Sequence, residues 1–234
     1  MLLSGIHTLT LLDYPGHVAC IVFTAGCNFR CGYCHNPEFV LPEKIKERMG
    51  DMIPEEKFFS FLETRKEKLE GVVISGGEPT IHPDLPEFIR KIKNMGFLVK
   101  LDTNGTNPKM LAQLLEEKLL DYIAMDAKAS PERYNALAGT QNNFSDIQHS
   151  RDLILHSGVS HELRTTIVKG WHDEVELKKI IHWCEGTEKY TLQNFRPQKT
   201  LCPTWGKYSG FTAEELKKFK KLAEKFLKKV EVMG

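Results

Sequence analysis

The chain has 234 residues, 41% hydrophobic and 27% charged, with 32 Lys and Arg against 31 Asp and Glu. This is one generous globular domain or two small ones, and it excludes long disordered tails and collagen-like repeats. A formal net charge of +1 leaves no overall field to draw the protein to nucleic acid or to anionic lipid.

Residues 1–16 contain no Lys or Arg and include His7, Asp13 and Pro15, so they do not read as a secretory signal. No run approaches the roughly 18 apolar residues of a membrane span. The expectation is a cytoplasmic protein whose thiols stay reduced. A short hairpin extension is expected over residues 1–16, with Ile6–Thr10 followed by a turn near Asp13–Gly16.

Six apolar runs of strand length follow: Val18–Phe23, Val72–Ser75, Leu98–Thr103, Tyr122–Asp126, Leu163–Val168 and Tyr190–Phe195. Continuous apolar strands indicate burial on both faces, as in a parallel sheet. Helices are predicted over Glu55–Leu69, Leu85–Met95, Pro108–Leu119, Asp146–His156, Asp173–Cys184 and Thr212–Lys229. Asn107 before Pro108, and Thr212 three residues before Glu215, are helix-start signals.

The pattern predicts an α/β fold, a partial (β/α)6 barrel of parallel strands with outer helices. A doubly wound open sheet fits the same periodicity. Residues 17–210 would form the barrel core and 211–234 a C-terminal helix, all in one domain over 1–234. The lysines from Lys217 to Lys229 alternate with apolar residues at helical spacing and read as a solvated helix face. In either architecture, sites form at the C-terminal ends of the strands.

There, Cys27, Cys31 and Cys34 form CxxxCxxC directly after the first strand. Soft thiolates select zinc or iron–sulfur clusters. Three thiolates leave one iron of a four-iron cluster without a protein ligand. Alternatively, His35 closes a zinc site, or Cys20 or Cys202 supplies a fourth ligand.

Later strand ends carry further polar groups. Ser75-Gly76-Gly77-Glu78-Pro79 combines close backbone access with a carboxylate suited to an ammonium group. Asp102 and Asn104 in Leu101-Asp102-Thr103-Asn104-Gly105 suit a ribose or a cation. Asp126 and Lys128, spaced i,i+2, place two charges on one face of a buried strand, and Arg164 and Arg196 follow on the next two. Buried charges need partners or a ligand.

These motifs resemble the radical S-adenosylmethionine (SAM) superfamily. CxxxCxxC with Tyr33 before the last cysteine is similar to its cluster motif, and Gly76-Gly77-Glu78-Pro79 to its methionine-binding motif. A narrower resemblance runs along nearly the whole chain, through Thr8–Gly16, Phe23–Cys31, Cys34–Pro37, Leu101–Gly105, Asp126–Lys128, Gln193–Pro197 and Cys202-Pro203. These segments resemble the glycyl-radical-enzyme activases, most of all the activating proteins of anaerobic ribonucleoside-triphosphate reductase. The chain lacks the ferredoxin-like cysteine insert of some activases. Arg196 stands where pyruvate formate-lyase activases carry a His.

The resemblance implies a [4Fe–4S] cluster on Cys27, Cys31 and Cys34, with SAM on the fourth iron. One electron from flavodoxin or ferredoxin would cleave SAM, and the resulting 5′-deoxyadenosyl radical would take hydrogen from a glycine of the partner reductase. It also implies that Tyr33, Cys34 and His35 lie beside the adenine and cluster. Gly76, Gly77 and Glu78 would meet the methionyl amine. Asp102, Asn104 and Asp126 would surround the cofactor, with a monovalent cation possible beside the two aspartates. Lys128, Arg164 and Arg196 would complete the contacts. Two alternatives are another small radical SAM enzyme, with a small-molecule substrate or a different glycyl-radical partner, and a non-enzymatic iron–sulfur or zinc module.

Overall fold

A computed structural model describes residues 1–234. In chain order the elements are β1 (Leu3–Thr10), β2 (Ala19–Thr24), α1 (Pro37–Val40), α2 (Pro42–Glu47), α3 (Glu55–Glu63), β3 (Gly71–Gly76), α4 (Leu85–Asn94), β4 (Leu98–Thr103) and α5 (Pro108–Glu116). Then follow β5 (Tyr122–Asp126), α6 (Tyr134–Ala138), α7 (Phe144–His156), β6 (Ser160–Ile167), α8 (Glu174–Trp183), β7 (Lys189–Asn194), α9 (Ala213–Ala223) and β8 (Val230–Met233). All eight strands form one sheet in the order β1 to β8. β1 runs antiparallel to β2, and every later pair is parallel.

That order decides between the two architectures. A doubly wound sheet reverses its strand order at a switch point. Here the order never reverses, so right-handed crossovers put the connecting helices on one face. The other face is left to curl inward, as in a partial barrel.

Side-chain alternation along the strands divides the interior accordingly. Cys20, Val22, Val72, Ile74, Val99, Leu101, Ile123, Met125, Leu163 and Leu192 join the helices in the main core. Ala19, Ile21, Val73, Tyr122 and Ala124 face the other way and pack with Tyr14 into a small second cluster. It lies toward the N-terminal ends of the strands. The inner face toward their C-terminal ends is left to polar side chains.

Several expectations need correction. Six βα units were one parallel strand too few. The helix expected over Thr212–Lys229 stops at Ala223, and Val230–Met233 pairs with β7. Val230, Glu231 and Val232 alternate apolar and polar, and Tyr190 N donates to Lys229 O at 2.9 Å as the new strand begins. The expected terminal helix at 211–234 is thus a helix followed by an edge strand. The N-terminal hairpin is formed between β1 and β2 rather than within residues 1–16. α3 ends at Glu63 rather than Leu69, and Glu67 beyond it takes a left-handed conformation with φ of 68°. The short helices α1 and α2, each opening on a proline, were not predicted. The expected caps at Asn107 and Thr212 form, the latter as a complete capping box, and Asp173 caps α8 as well.

Candidate functional site

The loop after β2 carries the three cysteines and is held from several sides. Gly26 N donates to Phe39 O at 2.7 Å, and Arg30 N donates to Ala138 O at 2.8 Å. The Arg30 guanidinium donates to the carbonyls of Cys27 (2.6 Å) and Phe29 (2.7 Å). From the segment after β7, Leu201 N donates to Cys34 O at 2.8 Å and Cys202 N to Gly32 O at 3.0 Å. Close packing explains two glycines. A Cβ on Gly32 would lie 1.9 Å from the Trp205 indole nitrogen, and one on Gly77 would lie 1.9 Å from Gly26 O.

The loop forms one wall of a cavity of about 500 Å³ at the C-terminal ends of the strands. Every residue that the resemblance places at the cluster or the cofactor lines it: Cys27, Cys31, Cys34, Tyr33, His35, Gly76, Gly77, Glu78, Asp102, Asn104, Asp126, Lys128, Arg164 and Arg196. Ser75, Thr166, Gln193, Asn194, Met233 and Gly234 line it as well and were not assigned. Ser75 belongs to the Ser75–Pro79 turn motif, and Gln193 and Asn194 to the Gln193–Pro197 stretch of the family resemblance. Met233 and Gly234 arrive on the unpredicted strand β8.

The donor set fits a cluster with one open corner. Burial pushes the Cys27 thiol up to about 12 and Cys31 up to about 11, and raises Cys34 as well. Metal binding must therefore displace the protons of these thiols. Phe29 N already donates to Cys27 Sγ at 3.4 Å. No fourth ligand approaches. Cys20 and Cys184 are fully buried in the main core. The Cys202 thiol is paired with the Thr204 hydroxyl at 3.0 Å, and Cys202 does not line the cavity. His35 engages Arg196 O through Nε2 at 2.9 Å and stacks on Phe195 at 5.7 Å between centroids. This removes the support for a closed Cys₃His or Cys₄ zinc site.

Opposite the loop runs a row of charges from β4, β5 and β6. Asp102 Oδ1 accepts from Lys100 Nζ at 2.6 Å. Its Oδ2 accepts from Ser75 Oγ at 3.0 Å and faces Arg164 Nη1 at 3.3 Å. Arg164 Nη2 faces Asp126 Oδ1 at 3.4 Å, and Lys128 Nζ donates to Asp126 Oδ2 at 2.8 Å. Lys128 also lies over the Phe29 and Tyr33 rings, at 5.7 and 5.9 Å.

Burial alone would raise both aspartates, but the neighbouring cations outweigh it and hold both carboxyls below their ordinary value. Burial opposes the Lys128 charge, yet Asp126 lifts its pKa well above that of a free lysine. Asp102, Asp126, Lys128 and Arg164 are thus ionised at neutral pH.

Glu78 is 1% exposed. Its Oε1 accepts from Thr80 N (3.1 Å), the Thr80 hydroxyl and the Thr103 hydroxyl (2.7 Å), and its Oε2 from Asn104 N (2.6 Å). Burial raises its pKa despite these donors. The carboxylate ties the turn after β3 to the loop after β4, so it acts as a brace in the cavity wall.

No helix is long and apolar enough to cross a membrane. The radical SAM superfamily profile matches residues 21–184. A Methanocaldococcus jannaschii protein, provisionally named a glycyl-radical enzyme activating enzyme, is 34% identical over 98% of this chain and 94% of its own length. The pyruvate formate-lyase-activating enzyme of Staphylococcus aureus is 27% identical over 81% of this chain and 79% of its own. The crystal structure of Streptococcus suis SuiB bound to S-adenosylmethionine superposes with a TM-score of 0.69 at 14% identity, over 92% of this chain and 52% of that one. The chain therefore belongs to the radical SAM superfamily, whose cofactors are a [4Fe–4S] cluster and SAM, and within it to the relatives of the glycyl-radical-enzyme activating enzymes.

Proposed function

We propose that residues 1–234 act as one radical SAM domain that installs a glycyl radical on a partner enzyme, anaerobic ribonucleoside-triphosphate reductase. Flavodoxin or ferredoxin would be the electron donor. One observation carries the reading: three cavity thiols without a fourth ligand face a row of ionised side chains at hydrogen-bonding range from one another. Bound there, the cluster and SAM supply one-electron cleavage of the sulfonium and a radical able to take hydrogen from a glycine.

The chain's own residues bind, orient and shield. Cys27, Cys31 and Cys34 hold the cluster. The close approach of Gly77 to Gly26 leaves the backbone of the Gly76-Gly77 turn available to the methionyl amine, and Glu78 fixes that turn. Arg164 and Lys128 receive the methionyl carboxylate, because both face the cavity with more positive charge than Asp126 alone cancels. Tyr33 and His35 flank the adenine, while Asn104 and Arg196 reach the nucleoside.

The test is anaerobic incubation of cluster-loaded, reduced protein with SAM and candidate glycyl-radical enzymes. Formation of 5′-deoxyadenosine together with a glycyl signal by electron paramagnetic resonance on the reductase is the expected result. Cleavage with a radical on a different glycyl-radical enzyme would reassign the partner. No cleavage with any of them would refute the reading.

A further inference from the structure

Lys100 is 1% exposed, yet the sequence reading gave it no role. It stands two residues before Asp102 on β4, so both side chains turn to the inner face. Its ammonium meets Asp102 Oδ1 at 2.6 Å and lies 5.9 Å from the centre of the Tyr122 ring, above the small apolar cluster. Lys100 does not line the cavity, so it acts on the cavity through Asp102.

A monovalent cation beside Asp102 and Asp126 does not fit these residues. All four carboxylate oxygens already face protein donors: Lys100 on one, Ser75 and Arg164 on the second, Arg164 on the third and Lys128 on the fourth. Three side-chain cations against two carboxylates leave this row with one net positive charge. An added sodium or potassium ion would have to share oxygens already engaged by protein donors and would meet a net positive charge. An incoming carboxylate would be attracted.

We infer that Lys100 is a built-in replacement for that cation, a positioning residue that holds Asp102 so that SAM binds without a monovalent ion. This rests on the reading of the cavity as a SAM site.

The test measures SAM affinity by anaerobic calorimetry on the cluster-loaded protein. Potassium, sodium and tetramethylammonium chloride are compared at equal ionic strength. Wild-type Kd is expected to agree within about twofold across the three salts. Lys100→Met is expected to bind on the order of tenfold more weakly in tetramethylammonium, the loss of one charge-assisted contact, and to recover in potassium or sodium. Sodium-23 relaxation on the protein without SAM gives an independent reading. It should show no specific site in wild type and one in Lys100→Met.

A wild-type Kd that worsens tenfold or more in tetramethylammonium, or a saturable sodium site in wild type, overturns the inference while leaving the SAM site intact. Absence of SAM binding in every salt overturns the SAM site itself. If Lys100→Met does not fold, the wild-type salt series and sodium measurement decide alone.

Discussion

Replacing Glu78 by Gln keeps the side chain's length and removes one of its two acceptors. Oε1 must still accept from Thr80 N and the two threonine hydroxyls, so the amide oxygen takes that side. The amide NH₂ is then forced against Asn104 N, which now donates to Oε2 at 2.6 Å. Two donors face each other at a residue that is 4% exposed, where solvent cannot substitute. Leaving a buried amide without an acceptor costs about 2 kcal/mol. For a chain of this size that corresponds to a fall in Tm of about 6 °C. Calorimetry of the metal-free protein measures it without any contribution from cofactor. Cluster content should stay near wild type, because no cysteine hydrogen-bonds to this carboxylate and losing its charge eases deprotonation of Cys27. A Glu78→Gln variant with unchanged Tm and weakened SAM binding would refute the brace and make Glu78 a direct ligand of the cofactor.

Cys31→Ala should abolish cluster reconstitution, whereas Cys20→Ala and Cys184→Ala should keep wild-type iron content, since both thiols are buried in the main core; equal iron loss in all three would overturn the ligand assignment. In the metal-free protein, Cys202 should be alkylated first, because the Thr204 hydroxyl and backbone lower its pKa while burial raises those of Cys27, Cys31 and Cys34. Mass-spectrometric time courses at mildly alkaline pH check the order, and faster labelling of Cys31 would contradict it. Asp102 and Asp126 titrate below the ordinary aspartate value of 3.8 in the folded chain. Their contribution to stability is therefore complete above that pH and is lost as pH falls through the depressed values. Arg164→Gln removes a cation shared by both, so its loss of stability should begin at higher pH. Superimposable urea-midpoint profiles for variant and wild type would argue against the shared ion pair.

The parts of this molecule legible in the sequence are those governed by local rules. Strands β2 to β7 showed as apolar runs bounded by turn residues, and the helix starts at Asn107 and Thr212 showed as caps. The cavity wall was readable because each contributing residue stands at or just beyond a strand end. β8 was hidden because Glu224–Lys229 continues a helical lysine pattern, and only pairing with β7 makes Val230–Met233 a strand. The choice of barrel over doubly wound sheet is a matter of strand order, which periodicity does not encode. Lys100 was hidden for a related reason: strand periodicity assigns no partner to a lysine inside an apolar run. Only the inner face of a curled sheet gives it Asp102 as a partner. The same limit applied to Glu78, whose four donors come from two separate loops.

The most direct test of the central claim is electron-nuclear double resonance on the reduced cluster with SAM labelled with nitrogen-15 at the methionyl amine. A nitrogen coupling that appears on adding the cofactor, and that is absent in Cys31→Ala, is the predicted result. A cluster spectrum indifferent to SAM, with a histidine or fourth cysteine ligand in its place, would contradict it.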